Sequence, residues 1–145
     1  MTQNEASTLA GTTLGAGKET EANGSKICLY TSNMTHIFQV LVTQAASPSE
    51  AQAQWSQYEA QATSAIAQLP SGGPTPTLTP ITGLGDRAES AALSASIAGQ
   101  TLNGNAVYLL KGATFLALSD IAVGSPAASG SALQTQAATS LARLP

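Results

Sequence analysis

At 145 residues, with 43% hydrophobic but only 9% charged residues, the chain has the length of one globular domain and an exterior that must be built from Ser, Thr, Gln, Asn and Ala. A formal charge of −3 and a pI near 4.8, with five basic residues spread from Lys18 to Arg143, leave no patch to neutralise a run of phosphates. Nucleic acid and anionic membrane surfaces are therefore excluded as expected partners.

In chain order, Thr2 and Glu5 have capping-box spacing, Ala6, Leu9 and Ala10 form an i, i+3, i+4 stripe, and Gly11 is placed to end a first short helix. Residues 15–25, with Lys18, Glu19, Glu21 and then Asn23-Gly24, read as a mobile polar loop. Strands are predicted over Lys26–Thr31 and His36–Gln44, the second with Phe38, Val40 and Val42 on one face and Ile37 and Leu41 on the other. Two apolar faces suggest a central strand, with one side under helices and the other covered at least in part, for instance by a partner.

Ser47-Pro48-Ser49-Glu50 supplies a cap, a first-turn proline and an acid for the next helix. Its stripe of Ala51, Trp55, Tyr58, Ala62, Ala65, Ile66 and Leu69 runs about 20 residues to Pro70, with Gln52, Ser56, Gln57, Glu59 and Ser64 opposite. Residues 71–80, rich in Gly and Pro, read as an extended linker between halves 1–70 and 81–145 of a single domain. Beyond it, strands are expected over Leu93–Ala98, Ala106–Leu110 and Thr114–Val123, with turns at Asn103-Gly104 and Lys111-Gly112. A last helix starts near Ser129 or Ser131 and buries Leu133, Ala137, Leu141 and Leu144. The expected fold is α+β: an antiparallel sheet of about five strands with two long helices packed on one face, and with a ββα pseudo-repeat left open.

The most apolar stretch, Ala106–Val123, is broken by Lys111, Gly112 and Asp120, so no transmembrane segment is expected. The first residues carry neither a basic region nor an apolar one, so a secretion signal would already have been removed. One cysteine, Cys28, and one histidine, His36, exclude an internal disulfide and a multi-cysteine or multi-histidine metal site. His36 reads as an exposed or strand-end residue, Cys28 as a small buried hydrophobe, and Trp55 and Tyr58 as core. Gly83-Leu84-Gly85-Asp86 lacks the third glycine and the lysine of a phosphate loop. With no serine elbow and no paired acids, neither a catalytic set nor a cofactor is expected. Asp86, Arg87 and Glu89 are the one compact group of opposite charges, and hence the candidate ligand-binding residues.

Taken together, the Thr8-Leu9-Ala10-Gly11 helix end, the Cys28-x-Tyr30 strand, the Gly83-Leu84-Gly85-Asp86-x-Ala88 loop, the Lys111-Gly112 hairpin and the Leu141-Ala142-x-Leu144 terminus resemble small bacterial extracytoplasmic domains of lipoprotein type. The resemblance implies export and a sensor or binding role without established catalysis. It carries no functional residues onto this chain. Where members of that group pair their cysteine with a second one, this chain departs. The expectation is thus a non-enzymatic secreted or cell-envelope binding module whose ligand is a protein, a glycan or a small molecule. The alternative is a surface subunit that self-assembles through a strand edge, and homo-oligomers are compatible with either.

Overall fold

The computed structural model describes residues 1–22, 24–33, 35–67, 77–97 and 99–143, without the side chains of 22, 60–67, 77 and 97. Three helices, α1 (Gln3–Ala10), α2 (Pro48–Ala67) and α3 (Gly130–Leu141), flank seven strands. These are β1 (Lys18–Ala22), β2 (Ser25–Ser32), β3 (His36–Gln44), β4 (Thr77–Pro80), β5 (Arg87–Ile97), β6 (Gln100–Lys111) and β7 (Thr114–Val123). They form one antiparallel sheet in the order β1-β2-β3-β7-β6-β5-β4. The expectation of about five strands under two long helices on one face is therefore wrong in strand number and in helix placement.

The missed strands are those whose side chains give no apolar signal. β1, read as loop, is Lys-Glu-Thr-Glu-Ala, and it pairs with β2 through a turn in which Gly24 takes φ +75°. β4 occupies the end of the expected linker and runs along the outer edge of β5, where Pro80 is tolerated because no further strand needs its missing N–H. β5 starts six residues earlier than expected, at Arg87, and β6 passes straight through Asn103-Gly104. The turn expected there falls instead at Gly99, φ +78°. The end of the α2 stripe, Leu69-Pro70, and Leu144 lie outside the described residues.

Helix placement follows from parity along the strands. Leu109, Leu116, Leu118 and Phe38 share one face, where they join Ala6 and Ala10 of α1 and Leu133 and Ala137 of α3 in the larger core. Leu110, Tyr108 and Phe115 have the opposite parity and meet Ala51 and Trp55 of α2. Helices thus lie on both faces. A ββα pseudo-repeat is overturned by the same fact: β3 and β7 are antiparallel neighbours, so a two-fold relating the halves would stand normal to the sheet and leave α2 and α3 on one side.

Helix ends obey local chemistry. Thr2 and Glu5 form the reciprocal capping box, Gly11 closes α1 at φ +65°, and Ser129 caps α3 by accepting from the Ala132 N–H.

Candidate functional site

Asp86, Arg87 and Glu89 part company in the structure. The Gly83–Ala88 rim folds against the β6–β7 hairpin, where the Asp86 N–H donates to the Leu110 carbonyl (2.7 Å) and the Asp86 carboxylate accepts from the Gly112 N–H (2.6 Å). Asp86 is thereby spent on fastening a turn. Arg87 and Glu89 sit two residues apart on β5, so both project to the face under α2. The guanidinium lies 5.2 Å from the Trp55 ring centroid, and its Nη2 contacts both Glu59 on α2 and Glu89 (3.4 Å). Glu89 is buried, 8% exposed. Burial, reinforced by the neighbouring Glu59 carboxyl, raises its pKa above the ordinary value, while Arg87 pulls the other way.

Around this node, Trp55, Tyr58, Tyr108 and Phe115 form an aromatic cluster, with Tyr58 and Tyr108 at 4.6 Å and Trp55 edge-on to Phe115 at 5.7 Å. Trp55 is buried as expected, although among the described residues its indole N–H is the one buried side-chain polar atom without a partner. Sequence reasoning placed Glu59 on the polar side of α2. The signal for its true position is its i+4 spacing from Trp55, which stacks it over the buried face.

A second arrangement escaped the sequence entirely. His36 and Asp120 are both buried, and their Nε2 and Oδ1 atoms are 2.7 Å apart. The other Asp120 oxygen accepts from the Ala128 N–H at 2.6 Å, just before α3. His36 pairs with Ala122 and Asp120 with Phe38, so the two residues are diagonal neighbours across β3 and β7. Of the two expected settings, exposed or at a strand end, His36 takes the second, opening β3 as a buried residue. The signal was present in register: Asp120 interrupts Leu116, Leu118 and Ala122, and His36 precedes Phe38, Val40 and Val42, so both fall at core positions that demand a polar partner. His36 lines a cleft of about 470 Å³ with Thr12, Ser32, Thr35, Ser125 and Ser129. None of the described hydrogen bonds joins a hydroxyl to its ring. Cys28, half-buried, belongs to another cleft of about 490 Å³ beside Glu19, Glu21, Lys26, Val40 and Val42. Histidine and thiol thus occupy separate sites.

The third feature is the part of the α2-side face that the described residues of α2 leave bare. Ile27 and Leu29 on β2, Ile37 and Leu41 on β3, and Ala117 and Ile121 on β7 share it with the polar Thr31, Gln39 and Ser119, and Ile37 and Ile121, directly paired toward one end, are 39% and 41% exposed. From β2 to β6 this face carries no charged side chain, because Lys26 and Asp120 point to the other side. Both sheet edges carry features that discourage pairing: three charges within β1, and a four-residue β4 that ends in proline. Among the described residues no cluster of three His, Cys, Asp or Glu could hold a metal, and no helix is long and apolar enough to cross a membrane. Compared with known proteins, the chain matches no family model, no curated protein and no solved structure.

Proposed function

We propose that the chain is a non-enzymatic binding module, exported to the cell envelope or beyond, that docks a partner protein on the bare face of its sheet. The observation that carries this reading is the exposed Ile37–Ile121 pair on an uncharged face that it shares with Ile27, Leu29 and Leu41 and with the polar Thr31, Gln39 and Ser119. Four strands at about 4.8 Å spacing make an area roughly 15–20 Å across, broad enough for a protein surface. A partner with an uncharged apolar patch meets no desolvated charge there. Export rests on the resemblance of the short motifs to extracytoplasmic domains.

Photo-crosslinking tests the docking face. A benzoylphenylalanine at Ile37 is expected to trap discrete adducts in extracts of the source cells, whereas the same probe at exposed Thr139 on α3 traps none. Equal labelling at both positions, or none at Ile37, overturns the proposal. An adduct of twice the chain mass would replace the partner protein with a second copy.

A further inference from the structure

We infer that the cleft holding His36 is a binding site for a neutral pyranose sugar, on the opposite side of the sheet from the bare face and independent of it. His36 and Ile37 are consecutive on β3, so their side chains serve different faces.

One nitrogen is the starting point. As a carboxylate, Asp120 offers only acceptors, so the 2.7 Å contact to His36 puts the hydrogen on Nε2 and leaves Nδ1 for other work. None of the described hydrogen bonds takes Nδ1. Among the described residues, the one sealed side-chain polar atom without a partner is the Trp55 indole nitrogen, so Nδ1 opens on the cleft that His36 lines, although the residue is only 4% exposed. Holding the β7–α3 connection needs Asp120 and Nε2 alone, and gives Nδ1 no task.

The walls of the cleft are fixed. Asn103 and Asn105 donate to the Ser125 and Ala128 carbonyls at 2.8 and 2.9 Å, and Asp120 accepts from the Ala128 N–H, so the connection from β7 to α3 is held at three points. The Thr35 carbonyl accepts from the Val123 N–H at 2.8 Å, which ties the β2–β3 turn to the end of β7. A cleft of about 470 Å³ has the size of a small-molecule site, and one fixed in advance loses little ordering entropy when its ligand arrives.

Its chemistry selects the class of ligand. No Asp, Glu, Lys or Arg is among the residues lining it. Thr12, Ser32 and Ser125 bring hydroxyls that enter none of the described hydrogen bonds, while Leu9, Pro126 and Ala127 supply apolar surface. A pyranose has the same two sides, hydroxyls around its edge and C–H groups on its faces. Its hydroxyls also suit Nδ1 in either protonation state, donating to the neutral ring or accepting from the imidazolium, whereas a carboxylate or an ammonium group suits only one.

His36 is the sole histidine, so the imidazole resonances of the full chain, labelled with nitrogen-15, report this cleft alone. Glucose, galactose, mannose and N-acetylglucosamine are titrated to about 50 mM at constant pH and ionic strength, with glycerol, acetate and methylammonium as comparisons. At least one sugar is expected to give a saturable shift of the Nδ1 resonance, half-complete at about 1–10 mM. Thr12→Trp fills the cleft and should abolish that shift in a chain whose amide spectrum stays dispersed. If it does not fold, Ser125→Phe, on the wall that follows β7, takes its place. Three results would overturn the inference: no saturable shift with any of the sugars, an equal or larger one with glycerol, acetate or methylammonium, or one that persists in the filled cleft. The Ile37 crosslink probes the other face, so failure of either test leaves the other proposal standing.

Discussion

At the scale of single residues, several of this protein's few charges have defined partners, among them Glu5, Asp86, Arg87 and Asp120. Glu5 is held down to about 2, first by the Thr2 N–H at 2.7 Å and then by the Arg143 guanidinium at 2.7 Å. Its contribution to stability is complete above the unfolded value of 4.5 and disappears as the pH falls from there toward 2. Glu5→Gln should therefore flatten part of the acid limb of a urea-denaturation pH profile by lowering stability in the neutral region, with little change at the acid end. Glu89 has the opposite sign. Because its folded pKa is raised, its favourable contribution is full below 4.5 and is lost as the pH rises through the folded value, a decline that Glu89→Gln should remove. Asp120 matters most for the fold itself. Asp120→Ala strands both a buried imidazole and the Ala128 N–H, and should cost about 3–5 kcal/mol in urea unfolding. A loss below about 1 kcal/mol would mean that the pair is not closed as described.

At the scale of elements, what is local was readable and what is relational was not. Capping boxes, a first-turn proline and a terminal glycine act within one helical turn, so α1, α2 and the start of α3 follow from a few consecutive residues. Ser129→Ala removes the acceptor for the Ala132 N–H and should lower the melting free energy by about 1 kcal/mol. Strands β1 and β4 carry no such signature. They are defined by backbone pairing to β2 and β5, and a polar edge strand has no buried face to betray it. The Gly83–Ala88 rim is held by backbone geometry. Gly85 sits at φ +67°, and a Cβ there would lie 2.5 Å from the Leu110 carbonyl oxygen, so this glycine is needed for the close approach that lets Asp86 fasten the hairpin. Gly85→Ala should cost at least about 2 kcal/mol by calorimetry, from the strained conformation and the overlap together.

At the scale of the whole molecule, the two sheet faces divide the work. The face under α1 and α3 holds the larger core, so substitutions there should unfold the protein. By contrast, Ile37→Lys on the bare face should stay within about 1 kcal/mol of wild type in denaturant while preventing partner adducts at neighbouring probe positions. The low charge that marks the composition looks different once the fold is drawn, because the bare face has none of it and two of the acids, Glu89 and Asp120, are buried. Capping chemistry and local periodicity by themselves determined the helix starts, the two-sided apolar pattern of β3 and the correct span of β7. The charge pattern also singled out Arg87 and Glu89 with Asp86 as a compact group of opposite charges, but without the strand that puts the first two on one face. Only the tertiary structure decided which helix covers which face, that Glu59 completes the node, and that His36 meets Asp120 from 84 residues away. The reason is physical: caps and periodicities are set by bonds within a turn or two of the chain, whereas strand order and parity across a sheet depend on pairing between distant segments whose sequences do not encode each other.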